Sequence, residues 1–127
     1  LEVNNNKCIR RDPLFLAAKW AATVRHPSKG SIDSGWLKNA HFYSIKVHLH
    51  KDDHVQLIVE HKGIEATLET HVWHPNNDLW AQRGDRITAG DFRWADSWEV
   101  EMDSEYLIAV KASRPTTFRV ILSDSQP

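Results

Sequence analysis

A chain of 127 residues can bury about two-thirds of its unfolded surface around one core without staples. Sixteen basic residues against seventeen acidic ones leave a formal charge of −1, so no long-range field draws it to phosphate backbones or anionic lipid, and no nucleic-acid partner is expected. Cys8 is the only cysteine, which excludes an internal disulfide and any thiolate metal cluster.

No apolar run approaches the roughly 18 residues that span a bilayer, so no membrane insertion is expected and the chain reads as soluble. No export signal opens it, and a start at Leu1-Glu2 without Met is expected of an excised piece, so composition leaves localisation open.

Residues 1–11, with Asn4-Asn5-Asn6 and Arg10-Arg11, lack periodicity and read as a mobile arm ahead of a single domain over 12–127. Asp12-Pro13 followed by Leu14 to Trp20 reads as an N-cap, a proline at the first helical position and a short helix. Ala22 and Val24 would equally suit a first strand. Ser31 to Trp36 reads as a strand ending in a glycine turn at Gly35.

From Phe42 onward the period is two. Tyr43, Ile45, Val47 and Leu49 share one face and Ser44, Lys46, His48 and His50 the other. After Asp52-Asp53 the same alternation runs through Val55, Leu57 and Val59, and after Lys62-Gly63 through Leu68, Thr70 and Val72. These three runs read as a meander of hairpin-linked, half-buried strands. Pro75 to Asp78 is a turn, Leu79-Trp80-Ala81 a short returning strand, and residues 82–97 the longest irregular loop. Trp98, Val100 and Met102 alternate as an exposed strand. Tyr106, Ile108 and Val110 alternate with Leu107 and Ala109, which makes that strand the most apolar and central. Arg114-Pro115 is read as the last turn before a closing strand through Phe118, Val120 and Leu122. Seven or eight strands at about ten-residue spacing predict an all-β, antiparallel β-sandwich. Its expected core is Ile45, Val47, Leu49, Val55, Leu57, Val59, Leu68, Val72, Trp98, Val100, Tyr106, Ile108, Val110, Phe118, Val120 and Leu122.

Several of these runs also resemble a known family. Phe42 to Val47, Lys51 to Leu57, Gly63 to Leu68 and Ser104 to Ala112 follow the strand order of the bacterial pre-peptidase C-terminal domain, over roughly residues 30–122. The resemblance implies a jelly-roll-like sandwich without catalytic residues, an accessory or binding module of a bacterial protein, secreted or periplasmic. It also brings calcium, but the Asp-x-Asp-Leu-Tyr stretch of the family is Glu65-Ala66-Thr67-Leu68-Glu69 here, and its glycine before the late tyrosine is Glu105. The calcium motif is not matched.

Six tryptophans and eight histidines are the unusual entries in the composition. Trp73, Trp80, Trp94 and Trp98 fall around the third run and the long loop, where aromatic faces can stack on sugar rings and Asp78, Asp85, Asp91 and Asp96 can meet hydroxyls. The expected function is therefore non-catalytic recognition of a glycan or a protein segment through this loop, with no cofactor. The alternative is a cupin-like metal site. His48 and His50 point the same way about 6.5 to 7 Å apart and, with His54, could hold Zn or Fe; the Glu that the cupin motif sets after its second His is absent. No serine has a nucleophile-elbow context, and Glu99 and Glu101 share a strand face instead of facing each other across a cleft, so no enzyme is expected.

Overall fold

The computed structural model describes residues 13–25, 32–62, 66–76, 79–83, 86–87 and 93–124, with backbone alone for 23–25, 75–76, 79–83, 86–87 and 124. The elements run α1 (Pro13–Ala21), β1 (Thr23–Arg25), β2 (Ile32–Asp33), β3 (Leu37–Leu49), β4 (His54–His61), β5 (Leu68–Asn76), β6 (Leu79–Arg83), β7 (Arg86–Ile87), β8 (Arg93–Glu99) and β9 (Ser104–Asp124). The expected arm and the Asp12 cap lie outside the described residues.

β9 is the spine. Its first half lies between β3 and β5, pairing Ile108 with both Ile45 and Val72; its second half lies between β2 and β4, pairing Leu122 with both Ile32 and Leu57. β6 and β7 extend the first layer beyond β5, and β8 extends the second beyond β4. Among the described residues every pairing is antiparallel except β1 with β3 at the edge. The two layers close on each other as a sandwich.

The expected meander is corrected. β3 and β4 follow each other in sequence but do not pair; β9 separates them. The Asp52-Asp53 turn is therefore an arch between layers, and Asp52 adopts φ 73, which a short polar side chain tolerates. The sequence signal for a hairpin and for an arch is the same, two alternating runs around a polar turn. What decides is β9, apolar on both faces and so able to displace the local partner from the sheet centre.

Arg114-Pro115 is likewise no turn. The chain passes through it in strand, but between the Phe42–Lys111 and Ala40–Thr116 pairs β3 advances two positions while β9 advances five. That bulge bends β9 from one layer into the other, and proline, lacking an N–H for the ladder, fits such a place. The expected 82–97 loop also shrinks. Arg93 to Glu99 pair residue by residue with β4, and Arg86-Ile87 pair with β5.

The core between the layers contains Ile45, Val47 and Leu49 from β3, Val55, Leu57 and Val59 from β4, Leu68 and Val72 from β5, and Tyr106, Ile108, Val110, Phe118, Val120 and Leu122 from β9. Each such side chain contributes about 1.5 to 3 kcal/mol by leaving water. Leu107 and Ala109, on the opposite face of β9, are buried beneath α1 with Trp73, Phe15 and Ala18. Nine residues make a helix too short to persist alone, so α1 depends on this packing and on the Ser44 hydroxyl, which donates to the Ala18 carbonyl at 3.1 Å.

Candidate functional site

An open hollow lies where β9 bends, lined by Trp36, Lys38, Asn39, Lys62, Pro115, Thr116 and Thr117. Its construction begins at Asp33. The Asp33 carboxylate accepts from the Gly35 N–H at 2.8 Å, and Gly35 takes φ +68, a conformation that costs a residue without a Cβ little. Ser34 binds the Val120 main chain twice, donating from its own N–H and accepting at Oγ, both at 2.9 Å. This tight segment delivers Trp36 to the surface, where it stays 37% exposed. The Lys62 ammonium sits 4.4 Å from the Trp36 ring centre and the Arg119 guanidinium 6.0 Å away.

Arg119 is held by acids. Its Nε donates to Asp33 Oδ1 at 3.0 Å, a second nitrogen reaches Oδ2, and Glu60 lies 3.9 Å off. Hydrogen bonding from Arg119 keeps the Asp33 carboxyl below its ordinary range, against a smaller opposing push from desolvation. Lys38 and Lys62 are exposed, so the hollow presents an aromatic face rimmed by positive charge.

The tryptophans expected to bind ligand are placed differently. Trp73 is 0% exposed, stacked on His71 at 5.3 Å and edge-on to Phe15 at 5.4 Å. It is a packing residue beneath α1, and its expected role in ligand contact is corrected. The reason is that β5 is covered on both faces, by the second layer and by the helix. Trp94 and Trp98 are half-buried against the sandwich core, Trp98 with its ring 6.0 Å from that of Tyr106. Trp80 lies in β6 opposite Pro75, with only its backbone described. Asp78, Asp85 and Asp91 lie outside the described residues; Asp96 is half-buried on β8. Trp36 was not singled out from sequence. The available signal was a tryptophan directly after a glycine turn and two residues before a lysine, outside any apolar alternation.

The histidines divide. His48 and His50 stand together on the outer face of the first layer, rings 5.1 Å apart, and Asp103 joins them with ligand atoms of all three within 4.8 Å of one another. His54 does not join. It opens β4 in the other layer, where its Nε2 lies 3.7 Å from the Glu99 carboxylate. The arch between the layers separates residues that sequence spacing had grouped.

No protein-family model matches the chain, and no curated protein matches it in sequence. Among solved structures, it is similar to CorA, a surface-associated copper-binding protein important in Methylomicrobium album BG8 copper acquisition, at 11% identity and a TM-score of 0.54 over 84% of this chain and 99% of that one. It is similar also to PliG of Salmonella Typhimurium, a periplasmic inhibitor of g-type lysozyme, at 10% identity and a TM-score of 0.51 over 82% and 99% of the two chains. The pre-peptidase C-terminal domain of a Bacillus anthracis collagenase is matched at 15% identity and a TM-score of 0.43, over 82% and 96%. At these identities the likeness is one of fold. The architecture implied by the resemblance of residues 30–122, an antiparallel β-sandwich, is the one observed. No helix among the described residues is long and apolar enough to cross a membrane.

Proposed function

We propose that this chain is a non-catalytic binding module that takes an acidic glycan in the hollow at the β9 bend, with Trp36 as the stacking platform. The observation that carries the reading is the Trp36 ring, 37% exposed in an open hollow with the Lys62 ammonium over one of its faces, in a molecule whose Trp73, Trp94 and Trp98 are committed wholly or partly to packing. A flat aromatic face complements the apolar side of a sugar ring. Lys38 and Lys62 supply donors and favour carboxylate-bearing sugars over neutral ones. Asn39, in the left-handed region at φ 53, adds an amide to the same wall. Recognition at the end of a rigid sandwich needs no moving part, and the same fold serves a copper-binding protein and a lysozyme inhibitor in other chains.

A glycan array containing uronic-acid and neutral polymers, followed by calorimetry on the best binder, tests this. Trp36→Ala should remain folded and lose about 1 to 3 kcal/mol of binding, roughly 5- to 150-fold. Lys62→Ala should lose preferentially the acidic ligands. If Trp80→Ala abolishes binding while Trp36→Ala leaves it intact, the ligand sits at the β5–β6 hairpin instead. An array empty for the folded protein, with a pull-down that retains a protein segment, would replace the glycan with a protein ligand.

A further inference from the structure

A second site stands apart from the hollow, on the outer face of the first layer where the β3–β4 arch meets the chain entering β9. His48 pairs with Glu105 and Leu49 with Ser104 across the ladder, and one step beyond that last pair the same register brings Asp103 level with His50, whose Nδ1 lies 3.9 Å from Asp103 Oδ1. The surrounding main chain is clamped. The Lys51 N–H donates to Asp103 Oδ1 at 2.7 Å, the His50 N–H to Asp53 Oδ2 at 3.0 Å, the Asp52 N–H to the Val100 carbonyl at 2.8 Å and the Val100 N–H to the Asp53 carbonyl at 2.9 Å.

We infer that His48, His50 and Asp103 bind one late first-row divalent metal ion, Cu2+ or Zn2+, through an imidazole nitrogen from each histidine and a carboxylate oxygen from Asp103. Imidazole with carboxylate is the donor set such ions take in preference to Ca2+ or Mg2+, which favour oxygen alone. A four-coordinate ion with bonds of about 2.0 to 2.1 Å holds its donors about 3.3 Å apart. The donor atoms already lie within 4.8 Å of one another, so about 1.5 Å of closure separates them from that spacing. Glu105, exposed beside His48, is placed to supply a fourth oxygen or to orient a bound water. The site is open to solvent, which leaves a coordination position for an exchangeable ligand and suits binding or delivery of the ion more than its permanent burial.

The full chain without an affinity tag, titrated with Cu2+ alone and separately with Zn2+ alone, tests the inference by calorimetry, with electron paramagnetic resonance on the Cu2+ form. One equivalent should bind, with hyperfine structure from two imidazole nitrogens. The His48→Ala, His50→Ala double variant should lose it. Asp103→Asn retains an acceptor for the Lys51 N–H and should weaken it at least about tenfold, the scale on which even indirect metal partners are felt. His54→Ala and Trp36→Ala should bind as the parent does, which keeps this outcome separate from the glycan reading. Weak uptake spread over several histidines, or a loss on His54→Ala equal to that on His50→Ala, would overturn the assignment, as would indifference to Asp103→Asn. Circular dichroism on each variant excludes unfolding as the cause.

Discussion

Asp33 and Arg119 form a two-point hydrogen-bonded ion pair across 86 residues of sequence, joining β2 to the second half of β9, with the Arg119 guanidinium 6.0 Å from the Trp36 ring centre. Because the pair holds the Asp33 carboxyl below its ordinary value of 3.8, its contribution to stability is fully present above that pH and is lost as pH falls through the folded-state value. Asp33→Asn should therefore be less stable than the parent at neutral pH, and the gap should close on acidification below about pH 4. Urea midpoints measured across the acid range check this; a gap that persists undiminished to about pH 2 would show that the pair contributes nothing through charge.

Trp73 gives a different test. Its ring is wholly enclosed between α1 and the first layer, so Trp73→Ala should cost about 3 to 5 kcal/mol of stability by leaving a cavity. Denaturant unfolding reads the loss. A variant as stable as the parent and deficient only in ligand binding would return Trp73 to the recognition surface.

Ile108 and Val110 sit at the centre of the spine, both 0% exposed. Aspartate at either position places an unpaired charge in the sandwich core, at a cost of several kcal/mol against a total stability of about 5 to 15. Ile108→Asp and Val110→Asp should give no cooperative unfolding transition. A folded variant with the parent's circular dichroism would contradict the placement of β9.

Gly35 turns the chain toward Trp36 at φ +68, and a Cβ built there meets nothing within 4 Å. The cost of substitution is then one of backbone conformation alone. Gly35→Val should lose about 1 to 2 kcal/mol, and Gly35→Asn less, because asparagine tolerates the left-handed region. Equal losses for the two, measured by thermal unfolding, would mean that the turn changes shape on substitution.

Much of the fold was legible in the residues. Alternation placed β3, β4, β5 and β9, and of the expected core only Trp98 falls short of full burial, packed instead at its edge. Even the double-sided apolar character of Tyr106 to Val110 correctly marked the central strand. The alternation of Trp94 and Trp98 with exposed Arg93, Ala95, Ser97 and Glu99 was also present, but the polar Asp96 between the two tryptophans hid residues 93–97 of β8 inside an expected loop, and only Trp98 and Glu99 were read as strand.

Sequence by itself determined which residues turn inward, because side-chain direction along a strand is fixed by a local period of two. It did not determine which strands are neighbours. Pairing is a competition among distant segments, and here β9 takes the place beside β3 that the next strand in sequence would have had. That one outcome turns a hairpin into an arch, sends His54 to another layer, and sets Asp103 beside His50 instead. Long-range packing likewise sets α1 over Trp73 and Trp36 at the bend of β9. Local spacing encodes faces; only long-range packing decides what each face meets.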